Sequence, residues 1–218
     1  VTEVDGSVAF ARSRRDLEQR VLGSVLDSWV LRLPPFMEVW LALVGSSVPL
    51  RGEAHATLAR PSPFLARFRR GTGRLVEDRG LMLVPGPASH RHAFIAVADA
   101  ASACIAAALH TEAAPGPIEV AGPEVLSWDD VAAVYADVLG RRVRVVTTPA
   151  GVFAAAARVL APVADVPART MALNRYLAAS ETPWTNAGGG LVDPATMTRV
   201  ESFLQAKAAL PDRPVTAD

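Results

Sequence analysis

The sequence has one cysteine, one lysine, no net charge and no apolar run of membrane-spanning length, and each shortage removes a class of function. Cys104 has no second cysteine to pair with, so neither a disulfide framework nor the oxidising compartment that goes with one is expected. It sits in the alanine-rich stretch ASACIAAAL, where a small buried thiol is expected to serve packing. The 22 basic residues balance 22 acidic ones, which argues against nucleic acid as a partner. Nearly all the positive charge is arginine, with Lys207 the only lysine. The least charged stretches, Ala96 to Leu109 and Ala150 to Ala157, are too alanine-rich or too short for a bilayer, which needs roughly 20 consecutive apolar residues; no membrane partner is expected. The first residues, VTEVDGSVAFARSRRD, lack the apolar centre of a secretory signal, so the expected compartment is the cytoplasm. His90 and His92 flank Arg91, yet no cysteine or third histidine lies at ligand spacing, and no metal site is expected. Gly188, Gly189 and Gly190 are not followed by GK[ST], so they read as a flexible turn and not a phosphate loop.

What is present is hydrophobic: half of the 218 residues are apolar, enough for one sizeable core or two small ones. The spacing predicts a helix over 13–25, with Ser13 as N-cap and Leu17, Val21 and Val25 as its buried stripe. SWVLRLP follows as a strand stopped by Pro34 and Pro35, because proline cannot donate to a ladder. Residues 36–48 form an apolar segment of undecided type. The run from Arg60 to Arg79, with Arg67, Arg69, Arg70 and Arg74 near Phe64 and Phe68, reads as a solvated helix face or loop.

Order returns at LMLVPGP, a strand broken by a Pro-Gly turn, and at HAFIAVADAA, a strand running into a helix for which Asp99 is the expected N-cap. Ala101, Cys104, Ile105, Ala108 and Leu109 share one face of that helix, expected to be buried. The strand IEVAG precedes SWDDVAAVYADVLG, the clearest helix, with Ser127 as N-cap, Asp130 at the third helical position, Val131, Val134, Tyr135 and Val138 as its stripe, and Gly140 as C-cap. RVRVVTTP is a strand ended by Pro149, and helices are expected over 152–160, 168–179 and 194–210. Strands separated by helices make an α/β chain, and residues 27–33 and 92–97 are expected in one mainly parallel sheet.

In three places the sequence resembles a family. SRRDLEQRVLGSVLDSWVLRLPPFME is similar to a helix with an internal Glu that runs into a strand ending Leu-Arg-Pro and then Phe-Met-Glu. HAFIAVADAASACIAAAL and IEVAGPEVLSWDDVAAVYADVLGRRVRVV are similar to the later strand–helix joint and to the Gly-Pro-Glu, Ser-capped helix and Leu-Gly-Arg ending of the same family. That family is the NmrA-like, epimerase-like branch of the extended and atypical short-chain dehydrogenase/reductases, and the ordered set covers roughly residues 7–146. The resemblance implies the C-terminal part of a Rossmann-like parallel sheet with a smaller, mostly helical substrate-side subdomain. Residues 1–111 would be the former, with an irregular Arg-rich insertion at about 50–80, and 112–218 the latter.

The resemblance also implies NAD(P) as cofactor, held at the nicotinamide end by Arg14 and by Leu33, Pro34, Pro35 and Phe36, with a substrate pocket built from Phe36, Met37 and Trp40 and the C-terminal helices. Active members use a Tyr, and a Lys four residues on, for proton transfer. Counting back from Glu18 places those positions at Phe10 and Arg14. Phenylalanine has no proton to give, and an arginine fork is not equivalent to an ammonium. The glycine fingerprint that grips a pyrophosphate in the family's first half is not among these 218 residues, and the sequence does not begin with methionine. A trimmed chain, a fragment and an unusual start are all open. The expected function is therefore a portion of an NAD(P)-dependent oxidoreductase or epimerase-like protein, inactive alone, with a small-molecule substrate; the alternative is a non-catalytic redox-sensing or protein-interaction module that pairs with itself or with a partner protein. Whether the chain is an enzyme is left open by the residues themselves.

Overall fold

A computed structural model describes residues 9–53, 67, 70–109, 115–162 and 165–212; most of the Arg-rich run lies outside these residues. The described elements are helix α1 (Ala9–Leu22), strand β1 (Trp29–Arg32), helices α2 (Met37–Leu43) and α3 (Leu75–Arg79), strands β2 (Leu81–Pro85) and β3 (Arg91–Ala93), and helix α4 (Val97–Leu109). Strands β4 (Gly116–Glu119) and β5 (Val125–Ser127), helix α5 (Trp128–Leu139), strand β6 (Arg144–Thr148) and helices α6 (Ala150–Leu160), α7 (Asp165–Ala179) and α8 (Val200–Ala208) follow, beside short 3-10 turns at Val48–Leu50, Gly188–Gly190 and Pro194–Thr196. β1 pairs with β4 and β2 with β6, both in parallel, while β3 and β5 pair antiparallel. The chain is thus a mixed α/β fold with parallel strand pairs.

Two expectations about the sheet need correction. The segment expected to be a strand over 92–97 is a strand only over Arg91–Ala93, and its ladder partner β5 runs the other way. It does not share a ladder with β1. The parallel relation survives only as the bridge between Phe36 and Ile95, where Met37 N–H donates to Ile95 O and Ile95 N–H to Pro35 O. The prolines are the physical reason: Pro34 and Pro35 have no N–H, so β1 stops at Arg32 and only one pair of bonds forms beyond them. All three ladders join a strand from 1–111 to one from 112–218, so the two stretches share their sheet contacts.

Two helices also differ. α1 begins before Ser13, which lies inside it, and ends at Leu22, where the Ser24 hydroxyl donates to Val21 O and closes the turn. Its expected stripe is not buried: Leu17 is 55% exposed and Val25 lies beyond the helix in open solvent. α4 is rotated from the expected face. Ala100, Ala103 and Ala107 are its buried residues, whereas Cys104 is exposed and Ile105 and Leu109 are 62% and 73% exposed. Ala100 and Ala103 let the helix backbone approach the rest of the second core cluster (Ile95, Val120 and Met197) more closely than a face of larger side chains would allow. The final helix, expected from 194, is split by extended backbone at Met197 and Arg199; Pro194–Thr196 is a separate turn capped by Asp193, and α8 starts at Val200. The triple glycine is a packed turn and not a loose one: Gly188 N–H donates to Ala121 O, and all three residues have positive φ.

The clearest local signals hold. Ser127 Oγ accepts from Asp130 N–H at 3.1 Å while Asp130 accepts from Ser127 N–H at 2.9 Å, and Gly140 takes the left-handed position at φ 60°. α5 then buries Trp128, Val131 and Tyr135 in the main core with Met37, Leu41, Met82, Phe94 and Leu204. Most of the undecided segment 36–48 supplies the other half of that core, through α2 and then Val44 and Val48. The fully buried Tyr135 hydroxyl donates to Leu41 O at 2.6 Å, joining the two helices, and burial pushes its pKa up.

Candidate functional site

Parallel strands leave their carboxyl ends open to a ligand, and β2 and β6 end side by side, Pro85 opposite Thr148. A solvent-open cavity of about 120 Å³ lies there. Its floor is Leu83, Val84 and Pro85 with Thr148; Trp40, Leu43 and Val44 from the end of α2 form one wall. The other wall is Phe153 from α6 and Thr170, Met171 and Asn174 from α7. α7 can close this side because Gly86, at φ 77°, turns the chain directly under it. A Cβ there would stand 2.4 Å from Ala178 O, so only glycine permits the approach. α6 packs on α7 but buries none of its own residues, so the pair covers the cavity without belonging to the main core. Asn174 is held by a bond from Nδ2 to Thr170 O at 2.9 Å.

Of the residues proposed for a substrate pocket, Trp40 lines this cavity and Phe36 and Met37 do not. Met37 is fully buried in the main core, and Phe36 and Leu33 pack on the second cluster. Pro34 is buried, and Pro35 and Phe36 are tied to Ile95. Phe10 and Arg14 lie one turn apart on α1; the Phe10 side chain is outside the described residues, and Arg14 is exposed. The next residue of that stripe, Glu18, pairs with Arg32 at the end of β1, and Arg32 reaches Glu119 of β4 at 3.4 Å. This ion pair lowers the Glu18 pKa through the hydrogen bond from Arg32, and it ties α1 to the strand.

Sequence reasoning missed Thr148 and the β2 end, although the rule about carboxyl ends of strands applied to RVRVVTTP would have pointed there. It also missed what the family-like glutamates do. Glu38, buried, accepts the Val97 N–H on both carboxylate oxygens at 3.0 and 3.2 Å, and so caps α4. Asp99, expected to be that cap, instead accepts from the N–H of Thr198 at 2.9 Å and ties α4 to the segment before α8. Glu124 accepts the Val200 N–H at 2.7 Å and pairs with Arg199, capping α8.

Desolvation raises the Glu38 pKa above its ordinary value. The stability that a protonated Glu38 confers is complete below its unfolded pKa and is lost as pH rises through the folded one. Glu38→Gln keeps an acceptor for Val97 without the buried charge, so at pH 7 it should match or exceed wild type in urea unfolding. Glu38→Ala leaves the N–H bare and should cost about 1–3 kcal/mol. A Gln variant as weak as the Ala variant would show that the charge itself holds α4.

A dinucleotide needs backbone N–H groups at a strand–helix turn for its pyrophosphate, and the described joints do not offer them. β1 reaches α2 through two prolines, and the first N–H of α2 donates to Ile95 O. β6 reaches α6 through Pro149; β5 runs directly into α5, whose cap is Ser127; the first N–H of α4 is taken by Glu38. None of the described strand–helix joints fits a pyrophosphate.

No family model and no curated protein matches the sequence. Solved structures do match the fold. A leucoanthocyanidin reductase from Vitis vinifera, in a ternary complex, superposes with a TM-score of 0.61 at 14% identity over 94% of this chain and 63% of its own. An isoflavone reductase gives 0.58 at 13% identity over 93% and 60%, and a nucleoside-diphosphate-sugar epimerase from Staphylococcus aureus 0.56 at 16% over 90% and 57%. The chain has the fold of these reductase and epimerase proteins and spans about three-fifths of their length.

Proposed function

We propose that this chain is the substrate-side portion of an NAD(P)-dependent oxidoreductase or epimerase-like protein of the NmrA-like, atypical short-chain dehydrogenase/reductase kind, and that it transfers no hydride alone. The observation that carries this reading is the cavity at the carboxyl ends of β2 and β6, in the fold of reductases and epimerases but with no described joint that fits a pyrophosphate. Residues 1–111 would form the remaining part of the nucleotide-side sheet and 112–218 the substrate side, with Leu33 to Phe36 facing the nicotinamide end of a cofactor gripped elsewhere. Phe10 stands where the resemblance places the proton-transferring phenol, and that role is worth about 10²- to 10⁴-fold in rate.

The test is a reductase assay of the chain with NADPH and NADH on a panel of quinones and carbonyls. No turnover is expected, and Phe10→Tyr alone should not create any; turnover that Arg14→Ala abolishes would overturn the reading. The alternative, a non-catalytic module that binds a protein partner or a second copy, draws support from the apolar side chains that α1 and α4 leave in solvent: Leu17, Leu22, Ile105 and Leu109. A single species at monomer mass in sedimentation would remove the second copy.

A further inference from the structure

We propose that the cavity under α6 and α7 takes one ring of a neutral, largely apolar molecule bearing a hydrogen-bonding oxygen, and does not take a nucleoside diphosphate sugar. This rests on the reading of the cavity as the substrate site and names the class of substrate. Trp40, Phe153 and Met171 give the walls their character, and the polar groups are Thr148, Thr170 and Asn174. None of the lining residues carries a charge. A diphosphate brings charge that needs arginine, lysine or a free helix N-terminus once it leaves water. The N-terminus of α6, a helix that walls the cavity, opens at Ala150 and Gly151, which do not line it.

Size points the same way. A cavity of about 150 Å³ holds benzene, so about 120 Å³ with an open mouth holds no more than a single ring, the remainder projecting through that mouth. The polar groups then set what that ring carries. Asn174 spends an N–H on the Thr170 carbonyl, which fixes its amide and leaves its carbonyl oxygen as an acceptor. The Thr148 hydroxyl, half-buried at the strand end, has no hydrogen-bond partner among the described residues and can donate to, or accept from, one oxygen on the ligand. A hydroxyl or carbonyl on an otherwise apolar ring satisfies this lining.

The experiment is saturation-transfer NMR and calorimetry on the 218-residue chain with 4-hydroxyacetophenone and, separately, UDP-glucose, on wild type, Thr148→Val and Phe153→Ala, with melting curves to confirm that each variant is folded. The expected result is binding of 4-hydroxyacetophenone with Kd of roughly 1 mM, as befits a ligand of that size, about three- to tenfold weaker in Thr148→Val, weaker again in Phe153→Ala, and no UDP-glucose signal at the same concentration. UDP-glucose binding without 4-hydroxyacetophenone binding would overturn the substrate class while leaving the cavity as the substrate site. Binding of neither ligand, or binding that both substitutions leave unchanged, would overturn the class and the site together.

Discussion

Gly122→Ala will destabilise the protein by about 3 kcal/mol or more, and the folded fraction on expression should fall with it. The sequence Gly-Pro-Glu after β4 brings the backbone of residue 122 against the segment joining β3 to α4. A Cβ at this position would stand 1.6 Å from Phe94 O and 2.7 Å from its carbonyl carbon, and backbone cannot swing aside as a side chain can. Phe94 is itself buried against Trp128, with ring centroids 5.7 Å apart, and the next residue, Ile95, carries the bonds to Pro35 and Met37. Relief of the clash would therefore move the main core, the β1–α2 joint, or both. Gly140→Ala is the control: nothing lies within 4 Å of a Cβ there, and only the left-handed φ of 60° is strained, so about 1–2 kcal/mol is expected. Urea unfolding of both variants makes the comparison; equal costs would show that residue 122 is not a close contact.

His92 should make the protein acid-sensitive at a higher pH than the carboxylates that hydrogen bonds hold low, while Glu38, raised by burial, changes stability in the opposite sense. Its ring is 1% exposed, packed on Phe94 and Trp128, and Nδ1 lies 2.9 Å from Thr182 Oγ1. Burial first, then the neighbouring His90, depress its pKa from 6.5 to about 4, with Glu181 acting weakly in the opposite sense. Because the folded value lies below the unfolded one, the stabilising effect of a neutral His92 is complete above about pH 6.5 and is lost progressively as pH falls toward 4. The full difference is on the order of 3 kcal/mol, or roughly 6–12 °C in Tm for a chain of this size. Glu18 and Asp130, whose hydrogen bonds hold them below their ordinary carboxylate values, matter only nearer pH 4. A loss beginning at pH 6 is thus assigned to histidine. His92→Gln should be less sensitive between pH 6.5 and 5; an unchanged slope in that variant would assign the loss elsewhere.

The sequence made some parts of this fold legible because their causes are local. Ser127, Asp130 and Gly140 bound α5 through contacts three or four residues apart, and Pro34 and Pro149 end their strands by their own chemistry. Other parts have causes far along the chain. Glu38 caps a helix that begins 59 residues later, and Glu124 one that begins 76 residues later; nothing in either glutamate's neighbourhood announces its partner. α4 was read on the wrong face because ADAASACIAAAL is apolar nearly all round, so periodicity cannot choose between Cys104 with Ile105 and the alanines that are in fact buried. The antiparallel β3–β5 ladder was hidden for a related reason: a three-residue strand has no pattern that fixes its direction. At the candidate site, Trp40 was singled out in the sequence from its place after β1. Thr148 was not, because its part depends on β6 pairing with β2 across 63 residues of register, Pro85 with Thr148.

Isothermal titration of the purified 218-residue chain with NADPH, and then NADH, tests the central claim most directly. The pyrophosphate would have to be held by backbone N–H groups, and the joints at β1–α2, β5–α5 and β6–α6 carry prolines or are already capped. What remains among the described residues, Arg14 and the Leu33 to Phe36 loop, is too little to offset the freedom a flexible dinucleotide loses on binding. No heat of binding up to millimolar cofactor is the result this account predicts. A micromolar Kd for either nucleotide would contradict it and place a complete cofactor site within this chain.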